Sequence, residues 1–315
     1  MMNIRMIGLG KMGFNMALNM KDHGYDVTGY DIDQKVLDEF QASSFKACNS
    51  LACLCERQND EQLIIWLMIP NGMVDKVLYD LEKYVLPGDV IIDGGNSNFN
   101  VSIKRYQTFK SLGVDFIDMG TSGGTKGARH GLCLLAGGEK EVVDKLEPLF
   151  KDLSIEDGFT YVGKPGAGHF TKMVHNGIEY GMMQSIGEGF ALLKSSPFEL
   201  DYEAISNAWN HGSLISSTLM GYVKEAFSQN KDLEGIEGKV DDTGEGMWMI
   251  EEALRYKVSL PVITQSLYAR FKSKDEDQFG EKVVAATRKA FGGHTIYYKN
   301  RSLYEYKTCD ISGFR

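Results

Sequence analysis

At 315 residues the chain is long enough for two packed domains, and its 43% hydrophobic and 24% charged residues exclude a disordered or fibrous chain. A formal charge of −9 with no basic run excludes non-specific nucleic-acid binding, so any anionic ligand must find its cations locally. No apolar run is long enough to span a bilayer and no signal-peptide pattern precedes the first strand-like segment, which together point to the cytoplasm.

Asn3–Ile7 reads as a buried strand, and Gly8-Leu9-Gly10-Lys11-Met12-Gly13 follows it and opens the helical pattern Met16, Ala17, Met20. Strand, glycines and helix in that order are the context a dinucleotide fingerprint requires: a tight turn, close backbone approach to pyrophosphate, and a helix N-terminus behind it. A second strand, Asp26–Tyr30, ends in Asp31, where an acid binds the adenosine ribose hydroxyls. A carboxylate there repels a 2′-phosphate and so favours NAD over NADP; the alternative role for Asp31 is a cap on the following helix.

Cys48, Cys53, Cys55, Cys133 and Cys309 are odd in number and irregularly spaced, as reduced thiols would be, and Cys53-Leu-Cys55 has no second pair with which to hold a metal. Leu63–Ile69 and Asp89–Asp93 are two more buried strands with helical stretches between them, a repeated β-α pattern that makes a parallel-rich sheet. Met68 and Asn96 fall at strand carboxyl ends, where such sheets bind ligands, and both are candidate cofactor contacts; Asn96 also suits an ordinary turn.

Val114–Asp118 is a further strand, and Ser122, Gly123 and Gly124 after it offer a hydroxyl and freely oriented amides, a suitable carboxylate nest. Gly131–Gly137 returns as a strand and Glu139–Leu153 as a helix, placing the end of a Rossmann-type domain near residue 165. Gly166 to Ser196 has no proline and predicts one long buried helix joining this domain to the next. Along it Lys172, His175, Asn176, Glu179 and Tyr180 form one polar stripe at i, i+3, i+4, i+7 and i+8, backed by Met173, Val174, Ile178, Met182, Met183, Ile186 and Phe190. Lys172 and Glu179 stand about 10 Å apart by helix rise, too far to pair, yet able to reach one small molecule between them. A desolvated lysine and a carboxyl form an acid/base couple for two steps of one reaction.

Beyond it the periodicity is helical over 201–211, 216–229, 247–257 and 261–274, which predicts an all-α second domain over 166–294 and a separate tail over 295–315. Arg270 and Arg288 stand out there, although an arginine on a helix is most often a surface residue.

The runs Gly95-Asn-Ser97, Ser122-Gly-Gly124, Lys172-Met-Val-His-Asn-Gly-Ile-Glu-Tyr180, Asp242-Thr-Gly-Glu-Gly-Met-Trp248 and Arg288 through Phe291-Gly-Gly-His294 together resemble the decarboxylating 6-phosphogluconate dehydrogenase family. The length resembles its short, NAD-linked branch, and the resemblance covers Met1 to His294. It implies oxidation of 6-phosphogluconate to ribulose 5-phosphate and CO₂, a step of the pentose phosphate pathway. By the same resemblance Lys172 is the base at the C3 hydroxyl, and Glu179 the acid that protonates the enediol. Asn96, His175 and Asn176 then hold hydroxyls, Ser122 to Gly124 the carboxylate, and Tyr180, Arg270, Arg288 and His294 the phosphate. The resemblance further implies a homodimer or homotetramer in which the Arg288 to His294 segment reaches a neighbouring subunit's site.

One departure stands out. The family's basic residue and threonine around the tryptophan of Gly-x-Gly-Lys/Arg-Trp-Thr are replaced by Met247 and Met249, two phosphate ligands worth about 1.5–3 kcal/mol per charged hydrogen bond. Either the arginines with Lys239 or Lys272 compensate, or affinity is low, or the substrate is an unphosphorylated or other 3-hydroxy acid. A non-catalytic NAD-binding protein is a further alternative, opposed by the presence of both Lys172 and Glu179.

Overall fold

In the computed structural model, which describes residues 2–57 and 61–298, short apolar strands alternate with amphipathic helices through the first half. The elements are β1 (Asn3–Ile7), α1 (Lys11–Asp22), β2 (Asp26–Tyr30), α2 (Gln34–Ala42), β3 (Lys46–Cys48), α3 (Leu51–Leu54), β4 (Ile64–Leu67), α4 (Asn71–Leu81), β5 (Val90–Asp93), α5 (Phe99–Ser111), β6 (Asp115–Ser122), α6 (Gly124–His130), β7 (Leu132–Gly137), α7 (Lys140–Asp152) and β8 (Ser154–Gly163). Helices alone follow: α8 (Ala167–Lys194), α9 (Tyr202–Trp209), α10 (Thr218–Gln229), α11 (Glu245–Tyr256), α12 (Pro261–Lys274) and α13 (Phe279–Gly292). The predicted class, a Rossmann-type sheet followed by an all-helical domain, is the observed one.

Strand order is β3-β2-β1-β4-β5-β6-β7-β8. The chain winds outward from β1 in both directions, so the carboxyl ends of β1 and β4 form the crevice where such sheets take ligands. Ile4, Met6, Trp66 and Ile92 fill one face beneath α1 and α7, and Ile7, Ile65, Leu67 and Phe116 the other. Burial on both faces is why these strands are near-continuous apolar runs.

The structure sets one strand direction that the sequence reading left open and differs from that reading in three places. β7 runs antiparallel to β6, because the connection through α6 is too short for a crossover and turns the chain straight back. β3 and the edge strand β8 were not foreseen, the first having three residues and the second no fully buried one. Cys48 and Cys53 form a disulfide that ties β3 to α3, against the expectation of reduced thiols; Cys55 and Cys133 are free, and Cys309 lies outside the described residues, as does nearly all of the 295–315 tail. Finally, α8 is not buried throughout: Ile178 and Met182, placed on its buried apolar side, are 50% and 43% exposed. No described helix is long and apolar enough to cross a membrane.

The first turns of α8 are instead seated hard against the sheet. The helix has no side-chain cap of its own, and β6 supplies one: the Asp118 carboxylate accepts hydrogen bonds from the amides of Gly166 (2.7 Å) and His169 (2.9 Å). Glycines make the approach possible. A Cβ on Gly168 would stand 2.1 Å from the Asp118 carbonyl oxygen and 2.6 Å from that of Leu135, and one on Gly120 would stand 2.8 Å from Lys172 Cβ.

Gly168→Ala therefore lowers stability by about 1–3 kcal/mol through overpacking. Gly189→Ala, at a helical position with nothing within 4 Å, raises it by about 0.5–1 kcal/mol. Urea midpoints of the two variants check this; equal midpoints contradict the tight seating.

Candidate active site

At the carboxyl end of β1, Gly8 takes φ +90°, and a Cβ there would strike the Met68 carbonyl at 2.4 Å. Gly13 sits against Gly8, where a Cβ would come within 2.0 Å of the Gly8 oxygen, while Gly10 faces open space. The first turn of α1 has no side-chain cap, so its amides remain available to an anion. These residues fit a dinucleotide's pyrophosphate. Asp31 does not cap the next helix, a role that Asp33 fills. Its Oδ2 accepts from the Leu9 amide at 2.7 Å and its Oδ1 from the Asp33 amide at 2.9 Å, which fixes the carboxylate beside the glycine loop. Met68 is half-buried behind that loop.

Asn96 is exposed on the loop after β5. A buried network shapes that loop: Asp93 accepts from the Gly95 amide at 3.2 Å, from Ser97 Oγ at 2.8 Å and from Arg105 Nη1 at 3.0 Å.

The seating of α8 carries Lys172 into the interior, where it is 7% exposed. Burial pulls the Lys172 ammonium below the ordinary lysine range, against the opposing attraction of Glu179, Glu245 and Cys133. Its Nζ lies 3.4 Å from His175 Nδ1, which in turn lies 3.0 Å from Asn176 Oδ1 and 3.9 Å from Glu179 Oε2. The imidazole thus spans the gap between lysine and glutamate that helix rise imposes. His175 Nε2 is 3.3 Å from Ser122 Oγ, at the end of β6, where Gly123 and Gly124 both take positive φ.

One turn further on, the Arg270 guanidinium lies 3.4 Å from the centroid of the Tyr180 ring and donates to the Asp241 carbonyl at 2.6 Å. Tyr180 Oη donates to Asp242 at 3.0 Å, and Gly246 leaves room for the ring, since a Cβ there would stand 2.6 Å from it. Burial pushes the Tyr180 phenol upward. Met249, 8% exposed, packs with Met173, Trp248 and Ile263, and its Sδ occupies the space a Cβ on Gly177 would need. Met249 is thereby a packing residue between α8 and α11, whereas Met247 is 42% exposed.

The chain thus brings Lys172, His175, Asn176, Glu179 and Ser122 together, with Tyr180 and Arg270 beside them. It does not bring Arg288 or His294 there: both are exposed on or just after α13, which buries no residue. Sequence reasoning passed over Glu245, which is 2% exposed and accepts from Asn176 Nδ2 at 3.2 Å and Thr243 Oγ1 at 2.6 Å. Its only signal was its place inside the Asp242 to Trp248 run. Asp118, which seats the helix, was likewise read only as part of a strand. A separate apolar hollow of about 350 Å³ lies at the other end of α8, lined by Ile186, Phe190, Tyr202, Phe227 and Leu233, and is unsuited to a sugar acid.

Two family models cover nearly all of the chain: the NAD binding domain of 6-phosphogluconate dehydrogenase over residues 3–163, and the 6-phosphogluconate dehydrogenase C-terminal domain over residues 168–301. The Bacillus subtilis (strain 168) protein named "Putative 6-phosphogluconate dehydrogenase YqeC" is 46% identical, spanning 95% of this chain and 100% of that one. A Haloferax volcanii 6-phosphogluconate dehydrogenase, named as NAD(+)-dependent and decarboxylating, is 37% identical over 95% of this chain and 100% of its own length. Among solved structures, Plasmodium falciparum 6-phosphogluconate dehydrogenase, described with NADP+ and with 6-phosphogluconate, superimposes with a TM-score of 0.78 at 27% identity, over 95% of this chain and 67% of that one.

The buried lysine makes a prediction about stability. Between its depressed pKa and the ordinary lysine value the unfolded chain binds the more protons, so unfolding free energy rises with pH in that window. Lys172→Met removes this rise in urea-unfolding curves taken at increasing alkaline pH; a slope unchanged by the substitution contradicts the depressed lysine.

Proposed function

The chain belongs to the 6-phosphogluconate dehydrogenase family, and on that premise we propose that it oxidises and decarboxylates 6-phosphogluconate to ribulose 5-phosphate and CO₂, with NAD as the electron acceptor. The observation that carries this reading is the buried Lys172, whose protonated form burial disfavours, lying with Glu179 against the same His175.

NAD, when bound, would supply the hydride acceptor for C3. Lys172, acting as base, takes the C3 hydroxyl proton as that hydride leaves, which produces a 3-keto acid. The protonated lysine then returns its proton to the carbonyl oxygen while the bond to the carboxylate breaks and CO₂ departs, so the enol forms without a free enolate charge. Glu179 delivers a proton to the carbon that has lost CO₂, and the enol oxygen gives its proton back to Lys172 as the ketone forms. Ser122, Gly123 and Gly124 hold the carboxylate; His175, Asn176 and Asn96 orient the hydroxyls. Tyr180 and Arg270 receive the phosphate end, where a guanidinium fork matches two oxygens.

Asp31 supports NAD over NADP, because a carboxylate fixed beside the glycine loop repels a 2′-phosphate. A second copy of the chain completes the site in this reading. Arg288 and His294 are exposed on or just after α13, which buries no residue, and Met182 and Leu192 on the outer half of α8 are exposed as well. The domain division is residues 1–165 for the dinucleotide and 166–294 for substrate and dimer contact.

A second reading, an unphosphorylated sugar acid, is favoured by one observation: neither thioether, the exposed one of Met247 nor the packed one of Met249, can give a phosphate the hydrogen bonds that the family's basic residue and threonine offer. Steady-state kinetics with NAD on 6-phosphogluconate and on gluconate separate the two, the first reading requiring the larger kcat/KM on the phosphorylated acid. A larger value on gluconate establishes the second. In the same assay Asp31→Ala lowers the NAD-to-NADP ratio of kcat/KM by about tenfold or more, the equivalent of removing one charged hydrogen bond; an unaltered ratio removes Asp31 from cofactor choice.

Glu179→Gln slows turnover by about 10²–10⁴-fold with little change in KM. Solvent deuterium incorporation at C1 of the product reports the step, and incorporation at the wild-type rate would exclude Glu179 as the proton donor.

A further inference from the structure

Nothing in the proposed reaction assigns a role to Glu245, the most deeply buried carboxylate of the site. It enters from α11, and each of its oxygens receives one hydrogen bond, Oε1 from Asn176 Nδ2 at 3.2 Å and Oε2 from Thr243 Oγ1 at 2.6 Å. An ionised carboxylate only accepts, so the Asn176 amide must turn its NH₂ toward Glu245 and its oxygen toward His175. That oxygen lies 3.0 Å from Nδ1 and, being an acceptor, requires the imidazole proton on Nδ1. Nε2 is then left bare, matched to the Ser122 hydroxyl at 3.3 Å. With Nδ1 committed as a donor, the Lys172 amine 3.4 Å away meets a proton rather than a lone pair, and only its neutral form accepts that contact.

We propose that Glu245 is a positioning residue that, through the Asn176 amide, fixes the tautomer of His175 and so holds Lys172 as a proton acceptor. This deepens the proposed function and rests on Lys172 being the base. The carboxylate acts in two opposed ways. By hydrogen bonding it arranges the chain that favours the neutral amine; by charge it pulls Lys172 toward the protonated form, together with Glu179 on α8 and Cys133 on β7. His175 is the remaining titratable group against the amine. The balance sets the pH at which the base becomes available.

The test uses the full chain labelled with ¹⁵N-histidine at about pH 8, where an ordinary imidazole is neutral, with the His175 signals identified by their loss in His175→Gln. The wild-type protein shows a protonated Nδ1 and an unprotonated Nε2. In Glu245→Ala the Asn176 amide is free to turn, and His175 gains a population protonated at Nε2. Glu245→Gln, which keeps shape and can still present an oxygen to Asn176, retains the wild-type tautomer and guards against a folding defect. In turnover, Glu245→Ala loses about 10²-fold in kcat with KM little changed. Glu245→Gln recovers most of that loss and moves the acid limb of kcat/KM to lower pH, because the charge that raised Lys172 is gone.

A wild-type His175 protonated at Nε2, or a tautomer indifferent to Glu245→Ala, overturns the proposal. So does an acid limb unmoved in Glu245→Gln. Because the tautomer is read without substrate, a protein inactive on 6-phosphogluconate counts against the proposed reaction while the spectrum still decides the role of Glu245.

Discussion

The close seating of α8 on the sheet is the constraint on which the site depends. A carboxylate on β6 caps a helix that lacks a cap of its own, and Gly120, Gly137 and Gly168 remove the side chains that would hold helix and strands apart. The helix backbone therefore lies against the strands, and a lysine one turn inside it is enclosed before it can reach water. Burying an ammonium without a carboxylate in direct contact is costly, and the protein relieves the cost by shifting the group toward neutrality. On the proposed reading, that shift is what lets a surface residue type serve as a base.

The same helix has a second, different half. Past Gly181, Phe190 packs against Tyr202, Trp209 and Phe227 while Met182 and Leu192 stay exposed, α13 stands with no buried residue, and Arg288 and His294, two residues assigned to the anion end, are exposed on or just after it. The proposed second chain answers all three facts by covering the exposed side of outer α8 and contributing its own α13 segment. In that proposal the substrate-facing and partner-facing portions of α8 are consecutive lengths of one helix, so the geometry of association and that of the site would be set together.

Much of this was legible in the residues. Continuous apolar runs ending at glycines marked the strands buried on both faces, and the period of 3.6 marked the long helix and most of those after it. The polar stripe from Lys172 to Tyr180 was visible because its spacing contradicts a buried apolar face. What escaped depended on contacts remote in sequence. Asp118 reads as one more strand residue until the helix 48 positions away places its amide on it, and Glu245 reads as loop chemistry until α11 folds onto α8. The antiparallel turn to β7 and the polar edge strand β8 lack the apolar pattern that announces interior strands. The reduced-cysteine expectation failed because local loop geometry, rather than cysteine count, brings Cys48 to Cys53.

The two methionines after Gly246 have unlike fates. Met249 has been absorbed into the joint between α8 and α11, where Gly177 yields it space, so its effect on ligand binding is the absence of a polar group. Met247 stays partly open, next to the Gly246 that makes room for the Tyr180 ring, and so borders the part of the site on which the choice between a phosphorylated and an unphosphorylated acid turns.

The central claim is that enclosure by the sheet makes Lys172 a base, and its most direct test is titration of the Lys172 ε-amine itself, followed by NMR in protein carrying ¹³C-labelled lysine. The account predicts a midpoint clearly below the ordinary lysine value of about 10.4. A midpoint at or above that value would contradict it.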